Sequence, residues 1–139
     1  MKFSHNNSVS ARQIKLKKGD KVITASHDIQ TVESINSNGN VFTKESQYSW
    51  SPDNLMLYMR IKKTFQYDGI ELKIVDKCET YMNASEYVYP TRVIAPNGGI
   101  IPVYLNHKQT LKSIIEDTTI RLESFKARGC DIQKELTNK

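Results

Sequence analysis

The chain is short of the residues that would make a function easy to name. Of its 139 residues only two are cysteine, Cys78 and Cys130, and they stand too far apart for a metal-ligand spacing. So few thiols exclude a disulfide scaffold and fit a reducing compartment. Histidine is almost as scarce. His5, His27 and His107 share no H-x-H or H-x-x-x-H spacing, so no metal site is spelled out and no cofactor is implied. No apolar run reaches the roughly 18 residues of a membrane helix. The opening "MKFSHNNSVSARQ" lacks the apolar stretch of a signal peptide. The expected setting is the cytoplasm, with no membrane partner.

Signs of catalysis are equally thin. Cys130 follows a helix end rather than a helix start, where thiolates are favoured. Glu116 and Asp117 are adjacent, and adjacent helical residues point about 100° apart rather than forming an acid–base pair. The glycine pair in "PNGGI" (96–100) is followed by another apolar strand, not by the helix N-terminus that a phosphate cradle uses. A Walker-type lysine and hydroxyl are missing as well. Pro96 before Asn97-Gly98 is turn chemistry. The chain is therefore read as a non-enzymatic binding protein.

What is present is an ordinary globular composition, with 38% hydrophobic and 25% charged residues. A chain this long buries roughly 70% of its unfolded surface and needs no staples. Net charge is +5, and along the chain it is uneven. Residues 1–66 hold ten Lys/Arg against five Asp/Glu, whereas residues 67–139 hold ten of each. Such asymmetry fits a polyanionic partner on the basic side, or simply solubility.

Period-two patterning dominates the first hundred residues. "QIKLKK" alternates, Lys18-Gly19-Asp20 turns, and Val22-Ile23 continues as strand. "IQTVESI" alternates again. Asn38-Gly39 predicts a type I′ hairpin turn. Ser51-Pro52-Asp53 turns into "LMLYMRIKKTF", and Asp68-Gly69 turns into "YDGIELKIV". "DKCETYMNASE" has no period and reads as a loop or short helix. Pro90 confines "YVYPTRVIA" to an edge or bulge. Val93–Ala95 and Ile100–Val103 read as two strands about the "PNGG" turn.

A helix follows at about 107–128. Asn106 and Gln109 fit a capping box. Leu111, Ile114, Ile115, Thr118, Leu122 and Phe125 form one apolar stripe, and Gly129 is the stop. Asp131 caps a last short turn. The organisation expected is a flexible tail (1–12), a basic β region (13–66), and β-hairpins plus helix (67–139) packed on it as one domain. The fold class is α+β.

Two constellations remain. Lys15, Lys17, Lys18 and Lys21 surround the first turn, and Arg60, Lys62 and Lys63 lie on a later strand. With Trp50, Tyr58 and Tyr48 nearby, charge for phosphates and faces for bases occur in one half, which suits DNA or RNA. The same residues also fit lysines solvating edge strands and a core tryptophan. The alternative set is Arg92, Tyr104, Lys108 and Arg121, which suits a phosphate-bearing small ligand such as a nucleotide or signalling molecule. A protein–protein inhibitor or adaptor, acting on a host protein or as a homo-oligomer, is a third class.

"KLKKGDKVITA…QTVESINSNGNVFT…YSWSPDNLMLY" resembles SH3-like small barrels of the KOW/Tudor kind over residues 13–60. Gly19-Asp20-Lys21-Val22 is the most specific part. The resemblance implies a small β-barrel that binds nucleic acid, peptides or partner proteins. The Lys-, Asn- and Ile-rich style resembles small phage accessory proteins. That implies a regulatory or host-modulating role in an infected bacterium, or sequestering of a host defence signal.

Overall fold

The computed structural model describes residues 15–80, 87–103, 105 and 109–138. The expected tail over 1–12, most of the unpatterned 76–86 stretch, His5, Tyr104, Asn106, His107 and Lys108 lie outside them. The strands are β1 (Lys21–Thr24), β2 (Ile29–Ile35), β3 (Val41–Thr43), β4 (Leu55–Tyr67), β5 (Ile70–Lys77), β6 (Glu79–Thr80), β7 (Tyr87–Val88) and β8 (Thr91–Ile94). The helices are α1 (Leu111–Ala127) and α2 (Ile132–Thr137). Six strands form an antiparallel sheet in the order β3-β2-β1-β4-β5-β8, and β6 pairs with β7. The fold is α+β, with α1 as its amphipathic helix near the C-terminal end.

The chain divides into two compact units, Met1–Ile61 with Asp76–Pro90, and Lys62–Val75 with Thr91–Lys139. The division does not follow chain order: β4 and β5 each start in one unit and end in the other. Each unit has its own core.

In the first unit, Leu16, Val22, Val32, Val41, Leu55, Leu57 and Tyr89 are buried together. These are the inward positions of strands that alternate with period two. Strand β1 pairs with β2 through Val22↔Gln30 and with β4 through Val22↔Leu57. Tyr89 is fully buried, and its hydroxyl donates to the Leu57 carbonyl at 2.7 Å. Tyr89→Phe leaves that carbonyl without its donor. It is expected to cost about 1 kcal/mol, read as a lower urea midpoint at unchanged slope.

The second unit buries Tyr67, Ile70, Leu72, Ile74, Val93, Ala95, Ile101, Ile114, Leu122 and Ile132. Helix α1 contributes the stripe that its sequence spaces at three and four. Ile114, Thr118 and Leu122 are buried, and Leu111, Ile115 and Phe125 pack on the same core. Its end is a Schellman stop: Cys130 N donates to Phe125 O and Gly129 N to Lys126 O. Its start differs from the expected capping box. Thr110 is the N-cap, accepting from Ser113 N at 3.1 Å, and Gln109 is spent on the Asp117 carboxylate at 2.7 Å. Asp131 caps α2 as expected.

The two hairpin turns exchange the roles that the sequence suggested. Asp68 (φ 50°) and Gly69 (φ 78°) both adopt positive φ, so the β4–β5 connection has the type I′ signature. In the β2–β3 turn only Gly39 does, after a turn closed by Gly39 N donating to Asn36 O. "PNGG" is a tight turn, closed by Gly98 N to Ala95 O and Ala95 N to Gly99 O. The segment after it pairs back on β8 at Ile94↔Ile100 and is not an extended strand. Strand β8 is the sheet edge to which Pro90 confines it.

Candidate functional site

Of the first strand expected at 14–17, the described residues 15–17 are instead a pinned loop, and β1 begins only at Lys21. The in–out alternation is real all the same. Leu16 is buried in the first core between exposed Lys15 and Lys17. Asp20 is 2% exposed and organises the loop. Its carboxylate accepts from Lys17 N at 2.9 Å and from Arg60 at two points, Nε to Oδ1 at 2.9 Å and Nη2 to Oδ2 at 2.7 Å. Arg60 Nη2 also donates to the Lys15 carbonyl at 2.8 Å. The loop is sewn to β2 as well, by Gly19 N to Val32 O and Val32 N to Asp20 O, both 2.8 Å.

The consequence is electrostatic. The one carboxylate of the loop faces inward and is neutralised by a bidentate guanidinium. Lys15, Lys17 and Lys18 point to solvent, with no ion pair among the described residues. Lys21 is only half-exposed. Its Nζ donates to Thr31 Oγ1 at 2.6 Å, close to Glu45, whose Oε1 accepts from Thr31 N at 2.8 Å. That backbone hydrogen bond holds the Glu45 carboxyl below its ordinary value, with a smaller contribution from Lys21.

The other residues marked for nucleic acid are placed differently. Arg60 is the pin rather than a ligand contact. Trp50 packs against the first core and its backbone bridges Val41. Its indole N–H is buried without a partner among the described residues. Tyr58 carries the Lys77 ammonium over its ring, 5.6 Å from the centroid. Lys62 and Lys63 are exposed on β4 but fall in the second unit, and Lys62 is itself engaged. Tyr48, at 77% exposure, is the most open aromatic among the described residues of the first unit.

In the alternative set, Arg92 is half-buried and donates to its neighbour Thr91 O at 3.1 Å, among other engagements. Arg121 donates to Pro102 O at 3.1 Å and lies 4.9 Å over the Phe125 ring. The Arg121 guanidinium thus serves the second unit's own structure, and that of Arg92 is already engaged. Cys78 is half-buried and its thiol is pushed up by burial, which disfavours the thiolate a nucleophile needs. Among the described residues no three His, Cys, Asp or Glu side chains gather as a metal site, and no helix is long and apolar enough to cross a membrane.

The division into units also redraws the charge map. The first unit holds nine Lys/Arg and eight Asp/Glu, and the second eleven and seven. The excess that sits N-terminally along the chain therefore belongs mostly to the second unit. What distinguishes the first unit is local arrangement rather than net charge.

No protein-family model matches the chain, and neither a curated protein nor a solved structure matches it significantly.

Proposed function

We propose that the chain is a non-enzymatic nucleic-acid-binding protein whose phosphate contacts come from the 15–21 loop. One observation carries the reading: the Asp20–Arg60 pin fixes a short loop so that its carboxylate is buried and paired while three lysines face water. Phosphate contacts need positive charge at fixed spacing and little else. Pre-fixing the loop lowers the ordering cost that binding would otherwise bear. Lys21, at the end of the loop and hydrogen-bonded to Thr31, serves as a supporting charge. A cytoplasmic role in a phage-infected bacterium belongs to the same proposal.

The first test is the ultraviolet absorbance ratio (260 over 280 nm) of the native protein before and after a high-salt wash. Excess absorbance at 260 nm that salt removes is the expected result. Excess that persists through salt and is released only by denaturation would transfer the proposal to a small nucleotide. No excess at all would favour a protein partner.

A further inference from the structure

Helix α2 has six residues, too few to persist without tertiary support. Ile132 is buried in the second core, Leu136 packs beside it, and Gln133 Nε2 donates to Asp68 O at 2.9 Å. The C-terminal carbonyls of α2 are met by a single residue of the "PNGG" turn. Asn97 Nδ2 donates to Glu135 O at 2.9 Å and to Asn138 O at 2.7 Å, and Asn97 N donates to Leu136 O at 3.2 Å. Asn97 Oδ1 accepts from Gly99 N at 3.0 Å. Both polar atoms of this side chain are in use.

The residue that does this is followed by glycine. In an Asn-Gly pair no side chain shields the next backbone nitrogen, so that nitrogen can approach the carboxamide carbon. Gly98 N attacks Asn97 Cγ, the Cγ–Nδ2 bond breaks, and ammonia leaves. Water then opens the succinimide to an aspartyl or isoaspartyl residue. The product carries a carboxylate where Nδ2 stood. It can donate to neither Glu135 O nor Asn138 O, and it places negative charge at the negative end of the helix. In the closed fold the step is held back. Nδ2 is tethered by two carbonyls, which keeps the carboxamide carbon from turning toward Gly98 N. The Gly98 N to Ala95 O hydrogen bond is matched in the other Asn-Gly turn by Gly39 N to Asn36 O, so the tether is what sets Asn97 apart.

We propose that Asn97-Gly98 is a one-way latch on α2. Detachment of α2 permits deamidation of Asn97, and deamidation prevents α2 from reseating. The inference is independent of the nucleic-acid reading. The chain carries its own reference in Asn38-Gly39, an exposed hairpin turn with no helix seated on it.

The test begins with the unaltered 139-residue chain, aged in mildly alkaline buffer and mapped by tryptic mass spectrometry. Asn38 and Asn97 fall in different peptides, Val22–Lys44 and Val93–Lys108. Asn97 is expected to deamidate at least about tenfold more slowly than Asn38, because reaction is confined to the opened fraction. Ile132→Ala, which loosens α2, is expected to speed Asn97 and leave Asn38 unchanged. Asn97→Asp, made directly, is expected to raise hydrogen exchange over 131–138 by about tenfold or more while strand β5 keeps its protection. Equal rates at Asn38 and Asn97 in the native chain, or unchanged exchange over 131–138 in Asn97→Asp, would overturn the latch.

Discussion

Arg60→Ala is expected to lower the stability of the fold by about 3 kcal/mol, near the lower end for breaking a buried ion pair. The cause is what remains behind. Asp20 is 2% exposed, and without Arg60 it loses both guanidinium hydrogen bonds and keeps the one from the Lys17 amide. The Arg60 side chain is 17% exposed, so removing it opens a path by which water reaches the Asp20 carboxylate, which keeps the effect from the upper end. Asp20→Ala is expected to cost less, because the guanidinium it frees reaches solvent more readily than a buried carboxylate does. The double variant should cost clearly less than the two singles summed, since both remove one interaction. Chemical denaturation of the four proteins reads all of this. Strict additivity would show that the pair is not a unit, and the pinned-loop account would fail with it.

That pair also shows where the sequence stops being readable. Strand β2, helix α1, the Gly129 stop and the Asp131 cap are written in residues within one or two turns of each other. Their physics is local: alternation, an apolar stripe, an end cap. Asp20 and Arg60 lie forty positions apart, and nothing near either names the other. Arg60 therefore reads as one more surface cation, whereas the fold uses it as the inner partner of a carboxylate. The same limit explains the hairpins. Asn38-Gly39 and Asp68-Gly69 carry equal turn chemistry, and the register of the flanking strands decides which takes the type I′ form. It explains the helix start too. Asn106 and Thr110 are both good caps, and Gln109 is drawn to Asp117 two turns along. Trp50 illustrates a different ambiguity. An aromatic between strands suits stacking or packing equally well in sequence, and here the first core takes it. The charge map is the clearest case. Counting along the chain assumes that halves of the sequence are halves of the fold, and β4 and β5 pass between the units instead.

The second large effect concerns binding. Lys15→Gln, Lys17→Gln and Lys18→Gln together remove three exposed positive charges and leave Leu16, Asp20 and Arg60 in place. None of the three ammonium groups makes an ion pair among the described residues, so stability should stay within about 0.5 kcal/mol of the parent for each change. Affinity for a single-stranded oligonucleotide should fall on the order of 100-fold near 0.1 M salt, as three phosphate contacts are lost. Arg92→Ala should leave that affinity unchanged, because Arg92 is no part of the pinned loop and falls in the other unit.

The measurement that bears most directly on the account is the salt dependence of oligonucleotide binding by the parent and by this triple glutamine variant, followed by fluorescence anisotropy. The slope of log affinity against log salt should be shallower in the variant by about 2, the share of three single-strand phosphate contacts. Equal affinities and equal slopes in two equally stable proteins would contradict it, and would mean that the pinned lysine loop does not meet the phosphates.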